Sequence, residues 1–221
     1  MKQPAVIDDR ARALALVPLA PDIQARLAIY VDLLARWRKI TNLISEASFR
    51  EVWTRHIADS AQLLPLAPDA RRWIDMGAGA GFPGMVIAIQ LAGVAGVRVH
   101  CLESDRRKCA FLREVARATG APADIHAARV ESIAPDSLSP VDAVTARAFA
   151  PLPRVLEFAT VWLRQGAVGI FPRGRSAEAQ LEAAAAQDLT IDQTLSIDSV
   201  ASKLDPEAVI LRVRVAPKAI S

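Results

Sequence analysis

The chain is 221 residues long and carries 27 Lys and Arg against 24 Asp and Glu, a net charge of +3. Its 52% hydrophobic content can fill a sizeable core, which excludes a wholly disordered chain. Two cysteines exclude a disulfide framework and a four-thiolate zinc site; the mild charge excludes a histone-like polycation, although a pI near 9.2 leaves room for a basic face.

The first 70 residues read as helical. Asp22, after Pro21, can cap a helix whose Leu27, Tyr30, Val31, Leu34 and Trp37 fall three and four apart on one face. Ser48 and Glu51 fit an S-x-x-E capping box, with Ser48 as N-cap. The helix it opens carries Val52, Trp53, Ile57, Ala61 and Leu64 inward, and Pro65 and Pro68 end it.

From Arg72 the pattern changes. Residues 73–76 form a short strand and a glycine-rich turn follows. Pro83 suits the first turn of the next helix. Strands are predicted at 97–102, 124–127, 141–145 and 167–171, with helices at 106–119, 153–163 and 177–186 between and after them. Two last strands, near 189–195 and 209–215, have no helix between them. The alternation predicts an α/β, Rossmann-like fold with a mostly parallel seven-stranded sheet, closed by an antiparallel C-terminal hairpin. The division expected is an N-terminal helical cap at 1–69 and a sheet domain at 70–221.

No stretch reads as a membrane span. Arg12 and Pro18 interrupt the apolar run at 11–20, and the run at 85–97 is well short of the roughly 20 residues needed. A cytoplasmic protein with reduced cysteines and no membrane partner is expected.

Chemistry concentrates in Asp75-Met76-Gly77-Ala78-Gly79-Ala80-Gly81-Phe82-Pro83-Gly84. This segment joins a strand to a helix at the edge where doubly wound sheets bind ligands. Gly79, Gly81 and Gly84 match G-x-G-x-x-G, the dinucleotide fingerprint. Gly77, Gly79 and Gly81 match G-x-G-x-G, like the nucleoside loop of S-adenosylmethionine methyltransferases. Glu103 stands 22 residues after Gly81 and can accept hydrogen bonds from ribose hydroxyls in either cofactor, or serve as an N-terminal acid for the next helix. A dehydrogenase needs a proton donor beside its hydride site. The one tyrosine, Tyr30, lies on an apolar helix face, and His56, His100 and His126 are scattered, the last two in or near strands. The terminal hairpin also suits a methyltransferase sheet better.

With these motifs the chain resembles the RsmG/GidB family of bacterial small-subunit rRNA methyltransferases. The likeness runs from about Tyr30 to Gly174. It is carried by residues 34–42 with Trp37 and the Asn42-Leu43 pair, Arg55-His56-Ile57-Ala58-Asp59-Ser60, the Gly-Phe-Pro-Gly ending of the glycine loop, residues 102–112, Ala128-Arg129-Val130-Glu131, and Ala146-Arg147-Ala148-Phe149-Ala150. The resemblance implies S-adenosylmethionine as cofactor and N7 of a guanine in 16S rRNA of the small ribosomal subunit as acceptor. It implies that Gly77, Gly79 and Phe82 line the cofactor pocket, Glu103 holds the ribose, Val130 and Glu131 flank the adenine, and Arg147 closes the pocket. His56, Asp59 and Ser60 are implied to face the same cleft from the preceding helix. Ala78 departs from the family's Ser or Thr, residues 85–87 from its Ile-Pro-Leu, and Ile44 from its Thr after Asn-Leu; Arg173 takes the place of a lysine. Ile44 and Arg173 fall on what the resemblance makes the RNA side.

Plainer readings stand beside these. Arg147 reads otherwise as a surface arginine, His56 with Asp59 as a helix-face pair, and Phe82 as core. Cys101 and Cys109 lack a Pro-Cys nucleophile context. No acid–base pair or metal set stands out, which suits attack by guanine N7, a lone pair with no proton to lose. Catalysis would then rest on alignment, with Arg147 and Arg173 as positioning candidates. Basic clusters at 36–39, 71–72, 106–108 and 173–175 suit phosphates or plain solvated faces. The alternatives are a small-molecule methyltransferase with the cap as lid, an NAD(P) dehydrogenase, and a cofactor-binding regulatory module. A monomer is expected.

Overall fold

The structure is a computed structural model that describes residues 8–174 and 194–216. The expected helix at 177–186 lies outside these residues, as do positions 189–193 and Arg175.

Helices α1 (Asp9–Leu16), α2 (Pro21–Trp37), α3 (Glu46–Arg50) and α4 (Asp59–Ala61) precede the sheet. In α2, Leu27, Tyr30 and Leu34 are buried, as their spacing predicts. Ala20 rather than Asp22 takes the N-cap position, and Asp22 sits in the first turn, where its charge suits the helix dipole. The capping box is also displaced. Ser45 caps α3 by accepting from the Ser48 N–H at 3.1 Å, and Glu51 ends that helix. The following turn, Trp53–Ala58, is a π-helix. Its first N–H groups, those of Trp53 and Thr54, are satisfied by Asp9 Oδ2 of α1, at 2.9 and 3.4 Å. A carboxylate 44 residues away therefore does what a local serine was expected to do.

The strands are β1 (Arg72–Met76), β2 (Arg98–Glu103), β3 (Ala123–Ala127), β4 (Ala143–Thr145), β5 (Val168–Arg173), β6 (Leu195–Ala201) and β7 (Val209–Val215). They form one sheet in the order β3-β2-β1-β4-β5-β7-β6. All neighbours are parallel up to β5, and β7 pairs antiparallel with both β5 and β6. The hairpin is as expected, but its first strand runs Leu195–Ala201 rather than 189–195. Helices α5 (Gly84–Gln90), α6 (Arg106–Thr119) and α7 (Leu152–Arg164) complete the crossovers. Asp105 caps α6 through two N–H groups, and Gly120, at φ 66°, ends it.

Both faces of β1 are covered. Trp73 belongs with Leu27, Tyr30, Ile57 and Phe111 to one buried apolar cluster, which the N-terminal helices therefore share with the sheet. Ile74 and Met76 face Leu156, Trp162 and Phe171 on the α7 side. Burying each such side chain contributes roughly 1.5–3 kcal/mol. Register sets Asp75 beside Cys101 on one side and Thr145 on the other. The carboxyl ends of β1, β2 and β4 are thereby level, so the loops after β1 and β4 emerge side by side.

Candidate active site

The loop after β1 turns on three glycines of positive φ: Gly77 at 69°, Gly79 at 57° and Gly81 at 99°. A Cβ on Gly77 would fall 2.2 Å from Phe149 Cδ2, so the ring beyond β4 rests directly on this backbone. Glu103, at the end of β2, is nearly buried and holds the loop. Its Oε2 accepts from the Gly79 N–H at 2.9 Å and its Oε1 from the Asp105 N–H at 2.7 Å. Tyr30 of α2 reaches the same loop and donates its hydroxyl to the Ala80 carbonyl. The loop is thus braced from the sheet and from the helical layer.

These elements enclose a cavity of about 470 Å³. Gly77, Gly79, Phe82, Glu103, Val130, Glu131 and Arg147 all line it. All seven residues expected at a cofactor are therefore brought together. Ile44 lines this cavity too, with Leu43, rather than the side expected for RNA.

A second cavity of about 1050 Å³ adjoins the first. His56, Arg147, Ala148 and Phe149 line both. Arg147 crosses the junction. Its Nη1 donates to Asp59 Oδ2 at 2.8 Å and to the Arg55 carbonyl at 2.9 Å, and its Nη2 meets His56 Nδ1. A guanidinium has only donors, so Nδ1 is the acceptor and a neutral His56 carries its proton on Nε2. The imidazole stacks on Phe82 at 4.7 Å between centroids. Burial, then the charges of Arg147 and Arg55, push the His56 pKa down to about 3. The helix-face reading of His56 and Asp59 is therefore incomplete: both turn toward one arginine in the loop after β4. The π-helical turn widens the backbone where it presents His56.

Arg173, at the end of β5, lines the second cavity. Its Nε and Nη2 are buried with no hydrogen-bond partner among the described residues, and burial pushes its pKa down. Ser60 is a correction. Its hydroxyl donates to the His56 carbonyl at 2.6 Å, and it lines neither cavity. His100 and His126 face each other at 3.1 Å across β2 and β3, away from both cavities. Among the basic clusters, Arg72 is held by Asp142 and Arg38 by Glu46, while Lys108 lines the first cavity. Two residues of the site area escaped the sequence reading: Tyr30, read only as an apolar-face residue, and Gln62, behind Asp59, which carries no motif of its own. Asp75, the first residue of the glycine segment, is buried and accepts from the Gly84 N–H at 2.8 Å, a role the motif does not reveal.

Among the described residues no group of His, Cys, Asp and Glu could hold a metal ion, and no helix is long and apolar enough to cross a membrane.

The family model described as "GidB: rRNA small subunit methyltransferase G" matches residues 23–207. A protein named "Ribosomal RNA small subunit methyltransferase G" from Methylobacterium sp. (strain 4-46) is 46% identical over 211 residues, 94% of this chain and 96% of that one. A protein of the same name from Bradyrhizobium diazoefficiens is 46% identical over 177 residues, 80% of this chain and 68% of that one. Among solved structures, an O-methyltransferase from Bacillus cereus in complex with SAH superposes with a TM-score of 0.61 at 15% identity, covering 93% of this chain and 96% of that one. Cofactor-bound Rv0187 from MTB superposes at 0.58 with 18% identity, covering 98% and 100%. These two likenesses show the fold.

Proposed function

The chain belongs to the rRNA small subunit methyltransferase G family, and on that premise we propose that it methylates N7 of a guanine in 16S rRNA with S-adenosylmethionine. Membership removes the dehydrogenase reading that the two overlapping glycine fingerprints left open. The observation that carries the proposal is the junction of two cavities across Arg147 and His56.

The smaller cavity suits a nucleoside cofactor. Glu103 offers carboxylate oxygens to ribose hydroxyls, Val130 an apolar wall beside Glu131, and Gly77 a backbone bare of Cβ. When bound, S-adenosylmethionine supplies an electrophilic methyl group on a sulfonium centre. The larger cavity is wide enough for a splayed-out nucleotide, and Arg173 brings to its wall a guanidinium whose Nε and Nη2 have no partner among the described residues, suited to a phosphate or a base edge.

Neither polar side chain that lines both cavities, His56 or Arg147, offers a base, and the Asp59 carboxylate has one oxygen on Arg147 and the other on Gln62. His56 has its acceptor nitrogen committed to Arg147 and stays neutral down to about pH 3. Arg147 can only donate. Such a site suits an acceptor that needs no deprotonation, and guanine N7 is one. The residues act by alignment: Arg147, clamped by Asp59 and the Arg55 carbonyl, holds the junction, and stacked Phe82 and His56 keep its wall flat. The protein is read as acting on the RNA as a monomer, in the cytoplasm where ribosomes are made.

The test is transfer from radiolabelled S-adenosylmethionine to small ribosomal subunits lacking N7-methylguanine, mapped by the strand cleavage that N7-methylguanine permits. Label at one guanine is expected. Cofactor binding with no label in subunits or naked rRNA would overturn the proposal and favour a small-molecule acceptor.

A further inference from the structure

Gln62 follows α4 behind the two cavities and lines neither. It is only 4% exposed. Its amide reaches in two directions. Nε2 donates to Asp59 Oδ1 at 3.0 Å and to Ser202 Oγ at 3.2 Å. Oε1 accepts the Lys203 N–H at 2.9 Å.

The inward contact leads to the junction. Asp59 uses one oxygen for Gln62 and the other for Arg147. The outward contacts lead to the turn between β6 and β7. That turn walls the second cavity with Ser202, Leu204, Asp205 and Pro206. It keeps its own shape through hydrogen bonds from Ser202 N to the Ala208 carbonyl and from Ala208 N to the Asp205 carbonyl, both 3.0 Å. Those internal bonds set its curvature but not its distance from Arg147. Gln62 spans that distance, joining residues 140 positions apart.

The chemistry at this position calls for an amide. A carboxylate could still accept from Lys203 but would oppose the Asp59 charge and lose both donations. An apolar side chain would leave the Lys203 N–H and Asp59 Oδ1 without this partner.

We infer that Gln62 is a positioning residue that ties the β6–β7 turn to the Asp59–Arg147 pair, holding the RNA-side wall at a set distance from the cofactor cavity. The inference rests on the RNA methyltransferase reading. Displacement of a positioning group by about 1 Å can cost on the order of 10²-fold in rate, so a tether of this kind bears on turnover without touching substrate.

The test uses the full chain with Gln62→Met, Gln62→Glu and the milder Ser202→Ala. Small-subunit RNA is the acceptor, and calorimetry gives S-adenosylmethionine affinity. Both Gln62 variants should raise the RNA KM at least fivefold while the cofactor Kd stays within twofold. Ser202→Ala, which removes one of the Gln62 donations and the acceptor of the Leu204 N–H within the turn, should raise it two- to threefold. Hydrogen exchange across 202–208 should quicken in Gln62→Met. An unchanged RNA KM in the variants would overturn the inference. A parallel rise in cofactor Kd would also overturn it, as the mark of a general packing role. A wild-type chain that methylates no RNA would overturn the reaction reading instead; quickened exchange would then still support the tether, and unchanged exchange would remove it.

Discussion

Replacing Arg147 by alanine strips partners from three groups at once: Asp59 Oδ2, His56 Nδ1 and the Arg55 carbonyl. The Arg147 and Asp59 side chains are 20% and 24% exposed, so water screens part of the loss. Hydrogen bonds to charged groups contribute about 1.5–3 kcal/mol each when buried. Discounted for exposure and for shared geometry, the set is worth roughly 2–4 kcal/mol of stability at the junction, and releasing the junction by about 1 Å can cost on the order of 10²-fold in kcat/KM. Initial rates of methyl transfer to small-subunit RNA measure this directly, with thermal melting as the control for folding. A second readout is independent of turnover. Burial is the main cause of the depressed His56 pKa and the Arg147 charge the next, so Arg147→Ala should raise that pKa from about 3 without returning it to its ordinary value. Imidazole shifts followed by NMR against pH report it. Arg147→Lys keeps the charge but not the fork, and should fall between wild type and alanine in rate. A folded Arg147→Ala chain with wild-type kcat/KM would refute the alignment role, whatever happens to His56.

Three further outcomes are expected. Tyr30→Phe leaves the Ala80 carbonyl without its donor, which costs on the order of 1–3 kcal/mol; calorimetry should show the S-adenosylmethionine Kd rising about tenfold, and an unchanged Kd would mean the glycine loop holds itself. Arg173→Ala should weaken RNA binding at least several-fold and reduce the slope of log affinity against log salt by about one; equal slopes in variant and wild type would remove its phosphate role. Asp75 is fully buried, and burial pushes its pKa up to about 7, so the folded state keeps a proton that the unfolded chain has released. Wild-type stability should then fall relative to Asp75→Asn as pH rises from about 4 through 7, by at most ~1.4 kcal/mol per pH unit. Denaturant midpoints of the two chains at pH 5 and pH 8 test this, and a pH-independent difference would refute it.

Much of the fold was legible because its signals are local. The helix predicted at 106–119 is α6 with the same bounds, and the structure shows local signals at both ends, Asp105 at the cap and Gly120 in the left-handed region. The glycine loop announces itself because only glycine tolerates positive φ at three alternate positions under a neighbouring ring. The Ser48–Glu51 box misled for the opposite reason: a local pattern competed with Asp9, which reaches the same helix end through tertiary packing. Ser60 misled because its neighbours in the motif face the cleft while its own hydroxyl turns back to the helix carbonyl.

By itself the sequence determined the alternation of strand and helix, the glycine-rich turn after β1, the acid that ends β2 and the family. Each of these rests on spacing along the chain or on a contiguous motif. Only the tertiary structure decided what Arg147, His56, Asp59 and Gln62 do together. Parallel register carries the loop after β4 onto the loop after β1, and the C-terminal hairpin returns its turn to a helix 140 residues earlier. Contacts between such distant segments are set by how the sheet closes, and no periodicity in the chain encodes them.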